Sequence, residues 1–293
     1  MSIAVLGILV GFILGQDGNV AASEMDYARM RSSAGQCLWW PGNGTLTWTP
    51  NEKLDIILPG ALACIQRAFG VWQSQMDECG SLQFQQLAAT SSTSTNYIAR
   101  DTKSKNLILL RDGSCQQKVA VGDPCWKNNS CAEFYNCWQY DEMALAITLT
   151  TFRSDTGQLL NADIEINNNY TYAVDETPPC KGCFFEDLQA VMVHEIGHLL
   201  GLGHSAKSGS IMSPTLAAGF VEDYSLDIDS AQFVCDAYPK DKPAQGCSGL
   251  SVDKPFVQMA KATGCIAAIS GNSVWVWGMG FVVVRLGRRR RMV

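Results

Sequence analysis

The chain has 293 residues, 47% of them apolar, which is enough to bury a sizeable core and excludes a wholly disordered protein. Only 17% of residues are charged and the net charge is −6, so the basic footprint of a nucleic-acid binder is absent and no nucleic-acid partner is expected. Twelve cysteines are many for a cytosolic protein of this size, whereas three histidines are few, so the placement of these two residue types carries most of the functional information.

Residues 3–14 form an uncharged apolar run too short to cross a bilayer comfortably. Followed by the small residues Val20, Ala21 and Ala22, the run reads as a signal peptide over 1–22, although no Lys or Arg precedes it; a buried strand or helix is the alternative. A short segment, 23–36, leads into the body. Thr47 and Thr49 alternate with Leu46 and Trp48 in a strand that ends at Pro50. Ala61, Leu62, Ile65, Ala68, Phe69 and Trp72 recur at steps of three and four, which predicts an amphipathic helix from Pro59 to Met76. Short strands are expected at 82–84, 106–110, 143–150 and 162–167, the last two joined by a turn at Asp155-Thr156-Gly157. Strand, helix, several strands and a second helix imply an α+β fold, a mixed sheet packed against helices.

The second helix is expected from Asp187 to Leu202, with Glu186 and Asp187 at its electrostatically favourable start. It carries His194-Glu195-Ile196-Gly197-His198-Leu199-Leu200-Gly201-Leu202-Gly203-His204, which includes every histidine of the chain. A separation of four places His194 and His198 on one helical face, where both imidazoles can meet one Zn(II) ion. Gly201 can adopt a backbone conformation that would end the helix and swing His204 round as third ligand. Three nitrogens leave a fourth position open, the catalytic rather than the structural pattern. Glu195 lies beside the ligands, placed to act on water rather than on the metal. The Cys180/Cys183 pair has no second pair at zinc-ribbon spacing and reads as disulfide chemistry.

His-Glu-x-x-His-x-x-Gly-x-x-His resembles the signature of the metzincin peptidases, and Ser210-Ile211-Met212-Ser213-Pro214 looks like their Met-turn. Ser205, just after the third histidine, is similar to the matrixin type, as are Ala68–Trp72, Leu82–Phe84, 155–167 and Asp187–Gln189; the likeness covers about 46–239. The resemblance implies a zincin-like domain with a twisted mixed sheet, an active-site helix and a Met-turn, spanning 37–240. It implies a zinc-dependent endopeptidase in which His194, His198 and His204 bind one catalytic zinc. Glu195 would be the general base for zinc-activated water, and Met212 would lie beneath the metal as a packing residue. A protein or peptide substrate would pair in extended form with an edge strand, with Ser213 to Leu216 near its side-chain pocket.

This sequence departs from the family in three places. No histidine is left for the second, structural zinc of animal matrixins, and structural calcium is left open and unlocated. No cysteine-switch propeptide is recognisable. Leu226-Asp227-Ile228 stands where the family usually has two adjacent Asp before Ile. A fold-keeping surface binding module without catalysis, and a zinc hydrolase acting on something other than protein, are the competing functions.

After a linker, 241–263, Gly264-Cys265 precedes apolar stretches to Val284, then Arg285 and Arg288–Arg291. The arrangement resembles the C-terminal sorting tags of the myxobacterial type, over 264–293, in which the Cys marks processing and surface attachment; an ordinary hydrophobic strand with a basic end is the alternative. Without those five arginines the remaining 17 basic residues face 28 acidic ones, a balance of −11. An exported monomer, secreted or attached to the cell surface or outer membrane, is expected. If Cys265 belongs to the tail, eleven cysteines remain in the body and at least one lacks an intramolecular partner.

Overall fold

The computed structural model describes residues 27–41, 44–95, 105–220, 223–244 and 246–247, and the backbone alone at 262–263 and 266–267. The expected signal peptide and most of the expected tail, with Cys265, lie outside the described residues. Among the described residues, no helix is long and apolar enough to cross a membrane.

Among the described residues, ten strands and seven helices follow in chain order. The first half contains β1 (Thr45–Pro50), α1 (Leu54–Ile57), α2 (Ala61–Cys79), β2 (Gln83–Gln86) and β3 (Leu107–Arg111). Three single-turn helices come next, α3 (Cys115–Lys118), α4 (Cys125–Asn128) and α5 (Cys131–Tyr135). The second half contains β4 (Ala146–Phe152), β5 (Leu159–Asn167), β6 (Tyr172–Ala173), β7 (Glu186–Asp187), α6 (Leu188–Leu199), β8 (Thr215–Leu216), α7 (Ile228–Ala237), β9 (Ala262–Thr263) and β10 (Ile266–Ala267).

The main sheet has the order β2-β1-β3-β5-β4-β9. Its β1–β2, β1–β3 and β3–β5 pairs are parallel, while β4 runs antiparallel to both β5 and β9, so the sheet is mixed as the sequence predicts. The expected helix at 59–76 is shifted: Leu54–Ile57 makes a separate turn, and α2 begins only after Gly60, whose φ of 89° breaks the helical path. Ala61, Ile65, Ala68, Phe69, Trp72 and Met76 of α2 are buried against α6, and the Trp72 indole donates to the Val193 carbonyl at 2.9 Å. One apolar cluster fills the space between sheet and helices, and it includes Trp48 stacked on Phe69 at 4.5 Å.

Five disulfides, Cys37–Cys247, Cys79–Cys235, Cys115–Cys137, Cys125–Cys131 and Cys180–Cys183, pair ten of the eleven body cysteines. The unpartnered one is Cys64, buried on α2, where burial pushes its thiol up to about 12 and so keeps it protonated and inert at neutral pH. Cys79–Cys235 clamps α2 to α7. Cys115–Cys137 and Cys125–Cys131 sit in a small cluster of their own with Val119 and Ala132, a disulfide-knitted insertion on the sheet. Arg111 fastens that insertion: its guanidinium makes a two-pronged ion pair with Glu165 at 2.7 Å and donates to the Ala132 carbonyl at 2.7 Å, fully buried throughout.

Candidate metal centre and the residues that shape it

Helix α6 is built to hold its residues rigidly. Asp187 caps it, its carboxylate accepting from the Gln189 and Ala190 amides at 3.0 and 3.3 Å. At the other end the otherwise orphaned carbonyls of Leu199 and Leu200 accept from the Trp40 indole at 2.8 Å and the Tyr238 hydroxyl at 2.6 Å. The helix then stops in a Schellman motif: the Gly201 amide donates to His198 O and the Leu202 amide to Gly197 O, both at 2.9 Å, with Gly201 at φ +93°. A Cβ on Gly201 would also lie 2.6 Å from the Leu38 carbonyl oxygen. Gly201→Ala should therefore cost about 1–3 kcal/mol in backbone strain, plus the overlap with Leu38. A shift in the urea midpoint checks this, and an unchanged midpoint would count against the turn's role.

The turn returns the chain so that His204 faces the helix, with ring centroids 5.2 Å from His194 and 4.7 Å from His198. One ligand atom from each histidine lies within 4.8 Å of the other two. His194 Nδ1 contacts the Ile211 carbonyl and His198 Nδ1 the Leu202 carbonyl, each at 2.8 Å. A carbonyl can only accept, so Nδ1 carries the proton in both rings and each Nε2 presents a lone pair. His194 Nε2 is buried without a hydrogen-bond partner, and His198 Nε2 lies 3.1 Å from His204 Nε2. Two nitrogens bound tetrahedrally to one zinc at 2.0–2.1 Å would be separated by about 3.3 Å, so these imidazoles fit the ion. Burial, reinforced by the neighbouring His204, holds His194 down to about 3, and His198 is likewise well below its ordinary value, so both rings are neutral at physiological pH.

Glu195 is fully buried next to His194, and its Oε2 accepts from the Thr148 hydroxyl on β4 at 2.7 Å. The same hydroxyl lies 3.1 Å from the Glu195 backbone carbonyl. Thr148 was not singled out in the sequence; its one trace there is a hydroxyl residue in an otherwise apolar part of the strand. Met212 packs against α6 through a glycine, since a Cβ on Gly197 would meet Met212 Sδ at 2.4 Å. The Met212 segment is fixed from two sides: the Ser205 amide donates to Met212 O at 2.8 Å, and the Met212 amide donates to Ser210 Oγ at 3.1 Å. Ser210 Oγ in turn donates to Asp227 at 2.7 Å, and Asp227 caps α7 through the Ser230 amide at 3.1 Å. Burial alone would raise the Asp227 carboxyl, but the hydrogen bonds from Ser210 and Ser230 outweigh it and hold the group below its usual range. The single Asp before Ile228 therefore joins helix α7 to the Met212 turn.

A cavity of about 530 Å³ lined by Arg67, Asp187, Gln189 and Tyr224 lies at the opposite end of α6, so concavity alone does not locate the histidine site. Residues 132–239 match the family described as matrixin, and this match includes all three histidines, Glu195 and Met212. Over 55 residues the chain is 49% identical to Metalloendoproteinase 2-MMP of Arabidopsis thaliana, which covers 18% of this chain and 15% of that protein. It is 44% identical to Matrilysin of Rattus norvegicus over 50 residues, 17% of this chain and 19% of that one, and 33% identical to Matrix metalloproteinase-B of Caenorhabditis elegans over 79 residues, 27% and 15% respectively. The match thus spans under a fifth of each relative's length. Over that stretch the chain is similar to the matrixins, and its mixed sheet packed on helices is an α+β fold.

Proposed function

We propose that the chain is a zinc-dependent endopeptidase. The observation that carries this reading is the convergence of three imidazoles, two with their tautomers fixed by backbone carbonyls, beside a buried carboxylate that is not one of the three converging ligands. His194, His198 and His204 would hold the ion, which supplies Lewis-acid polarisation of a carbonyl and a lowered pKa for water. Glu195 then accepts the proton of the attacking water at its carboxylate and returns it to the departing amine. Thr148 holds Oε2 of that carboxylate in place through its hydroxyl and so would fix the orientation of the base. An extended peptide is the substrate class, supported by the matrixin likeness of residues 132–239; it would pair with β4, the strand that carries Thr148 beside Glu195, in place of β9. Export is part of the proposal: five disulfides are the usage of an oxidising compartment.

Incubation of the purified chain with casein and a peptide library should give cleavage that stops with 1,10-phenanthroline and returns with added zinc. Zinc-loaded protein without chelator-sensitive cleavage would sink the reading. Thr148→Val, which keeps the shape and removes the hydroxyl, should lower kcat about tenfold with little change in KM and should shift the acidic limb of the pH–rate profile. An unaltered profile would reduce Thr148 to a packing residue.

A further inference from the structure

The five disulfides are not equivalent. Cys115, Cys137, Cys125 and Cys131 are all buried within the insertion, and Cys37–Cys247 and Cys79–Cys235 tie together residues 210 and 156 positions apart. Cys180–Cys183 differs on both counts: it spans three positions, and Cys180 is the one exposed cysteine among the ten that are paired. A cross-link stabilises mainly by restricting the unfolded chain, and more so for a longer loop, so the ring closed around Lys181 and Gly182 adds the least. Exchange begins when a thiolate reaches a disulfide sulfur, so access decides which bond is attacked. Cys180–Cys183 is therefore the disulfide that a thiol can reach and that the fold can lose.

The cross-link sits in a loop, exposed throughout 175–182, that is anchored at both ends. Before it, the Val174 carbonyl accepts from the Arg67 guanidinium on α2. After it, the Phe185 carbonyl accepts from the Gly219 amide at 2.8 Å, the Phe185 ring meets that of Phe220 at 4.9 Å, and Glu186 bridges to Gly219. This second anchor joins the start of α6, the helix that carries His194 and His198, to the segment that follows Met212 and β8. It is held rather than relaxed: Glu186 is only 6% exposed, and its Oε2 has no hydrogen-bond partner among the described residues. Burying a carboxyl oxygen without a donor is costly, so the anchor gains by opening to water. The disulfide three residues earlier opposes that opening by restricting the loop.

We propose that Cys180–Cys183 is a thiol–disulfide exchange site for low-molecular-weight thiols, and that its opening loosens the anchor between Phe185 and Gly219. A thiolate attacks the sulfur of Cys180, the exposed partner; the bond between the two protein sulfurs breaks, a mixed disulfide forms on Cys180, and the electron pair leaves on Cys183, which takes up a proton. A second thiolate attacks the small molecule's sulfur in that mixed disulfide and releases Cys180, which is protonated in turn. One protein disulfide and two thiols thus become one protein dithiol and one small-molecule disulfide, the protein being reduced by two electrons and the thiols oxidised. The proposal does not depend on the endopeptidase reading.

Folded full-length protein, its free thiols first blocked with N-ethylmaleimide, is treated with reduced glutathione without denaturant and then with iodoacetamide. Peptide mass spectrometry should find the new label on Cys180 and Cys183, appearing about tenfold or more faster than on any other pair. Another pair opening first, or a Cys180–Cys183 bond that stays closed in the folded protein, would overturn the proposal. Hydrogen exchange then reads the anchor: after reduction the Gly219 amide should exchange about tenfold or more faster, while the α6 amides, which report the intact fold, stay protected. Unchanged exchange at Gly219 would overturn the link between the disulfide and the anchor. Cys180→Ser with Cys183→Ser should show the same fast exchange with no thiol present, and slow exchange in that variant would count equally against it; if the variant does not fold, the reduced wild type decides. Neither readout uses cleavage, so the casein assay decides the activity separately.

Discussion

Glu195→Gln should leave a correctly folded, zinc-loaded protein whose kcat is about 10²–10⁴-fold lower, the usual contribution of a positioned general base. The amide is close in size to the carboxylate and its oxygen can still accept from the Thr148 hydroxyl, so the buried contact at 2.7 Å is kept while the capacity to take up a proton is lost. Because the ligand cluster among the described residues is His194, His198 and His204, without Glu195, metal content should match the wild type. The expected loss corresponds to about 3–5 kcal/mol of transition-state stabilisation, with KM little affected. A kcat within a few-fold of wild type, at equal zinc content, would remove Glu195 from the proton transfer.

The second large effect concerns stability. Arg111→Ala should cost about 3–5 kcal/mol, because Glu165 would keep a charge in a fully buried position with no cation left beside it. The hydroxyls of Thr95, which donates to Glu165 Oε1 at 2.9 Å, and of Tyr140 would remain beside it, but both are neutral donors. The damage should extend beyond the pair, since the Ala132 carbonyl loses its donor and the insertion around Cys115–Cys137 loses its attachment to the sheet. Arg111→Met combined with Glu165→Leu should recover most of the loss, because a buried ion pair replaced as a whole by apolar groups is often near neutral. Urea midpoints of the single and double variants check both statements; a double variant no more stable than Arg111→Ala would mean that the Ala132 contact, not the orphaned charge, dominates.

The parts of the molecule that the sequence made legible are those written in short spacings. The i, i+4 histidines, the glycine three residues on and the third histidine are a local code, and the structure brings them together as that code implies. The apolar face of α2 was legible for the same reason, although its start was not, because the Gly60 break depends on a positive φ. What escaped are contacts between residues distant in the chain. Thr148 meets Glu195 across 47 positions, Arg111 meets Glu165 across 54, and Ser210 meets Asp227 across 17, and no periodicity records such pairings. Helices α3, α4 and α5 were missed because each is a single turn that opens on a disulfide cysteine, held by cross-links rather than by an amphipathic face. The cysteine count posed the question of an unpaired thiol, but only the packing of α2 identifies it as Cys64.

The disulfide between Cys37 and Cys247 makes nearly the whole described body one covalent ring, with Cys79–Cys235 as a second link across it. A single backbone cut anywhere between Cys37 and Cys247 opens the ring without releasing a fragment, so the nicked and intact molecules have the same mass apart from one water. Self-digestion in an exposed loop would go unseen on a non-reducing gel and appear only once the sample is reduced. Purity judged without reductant would overstate how much of the chain is continuous.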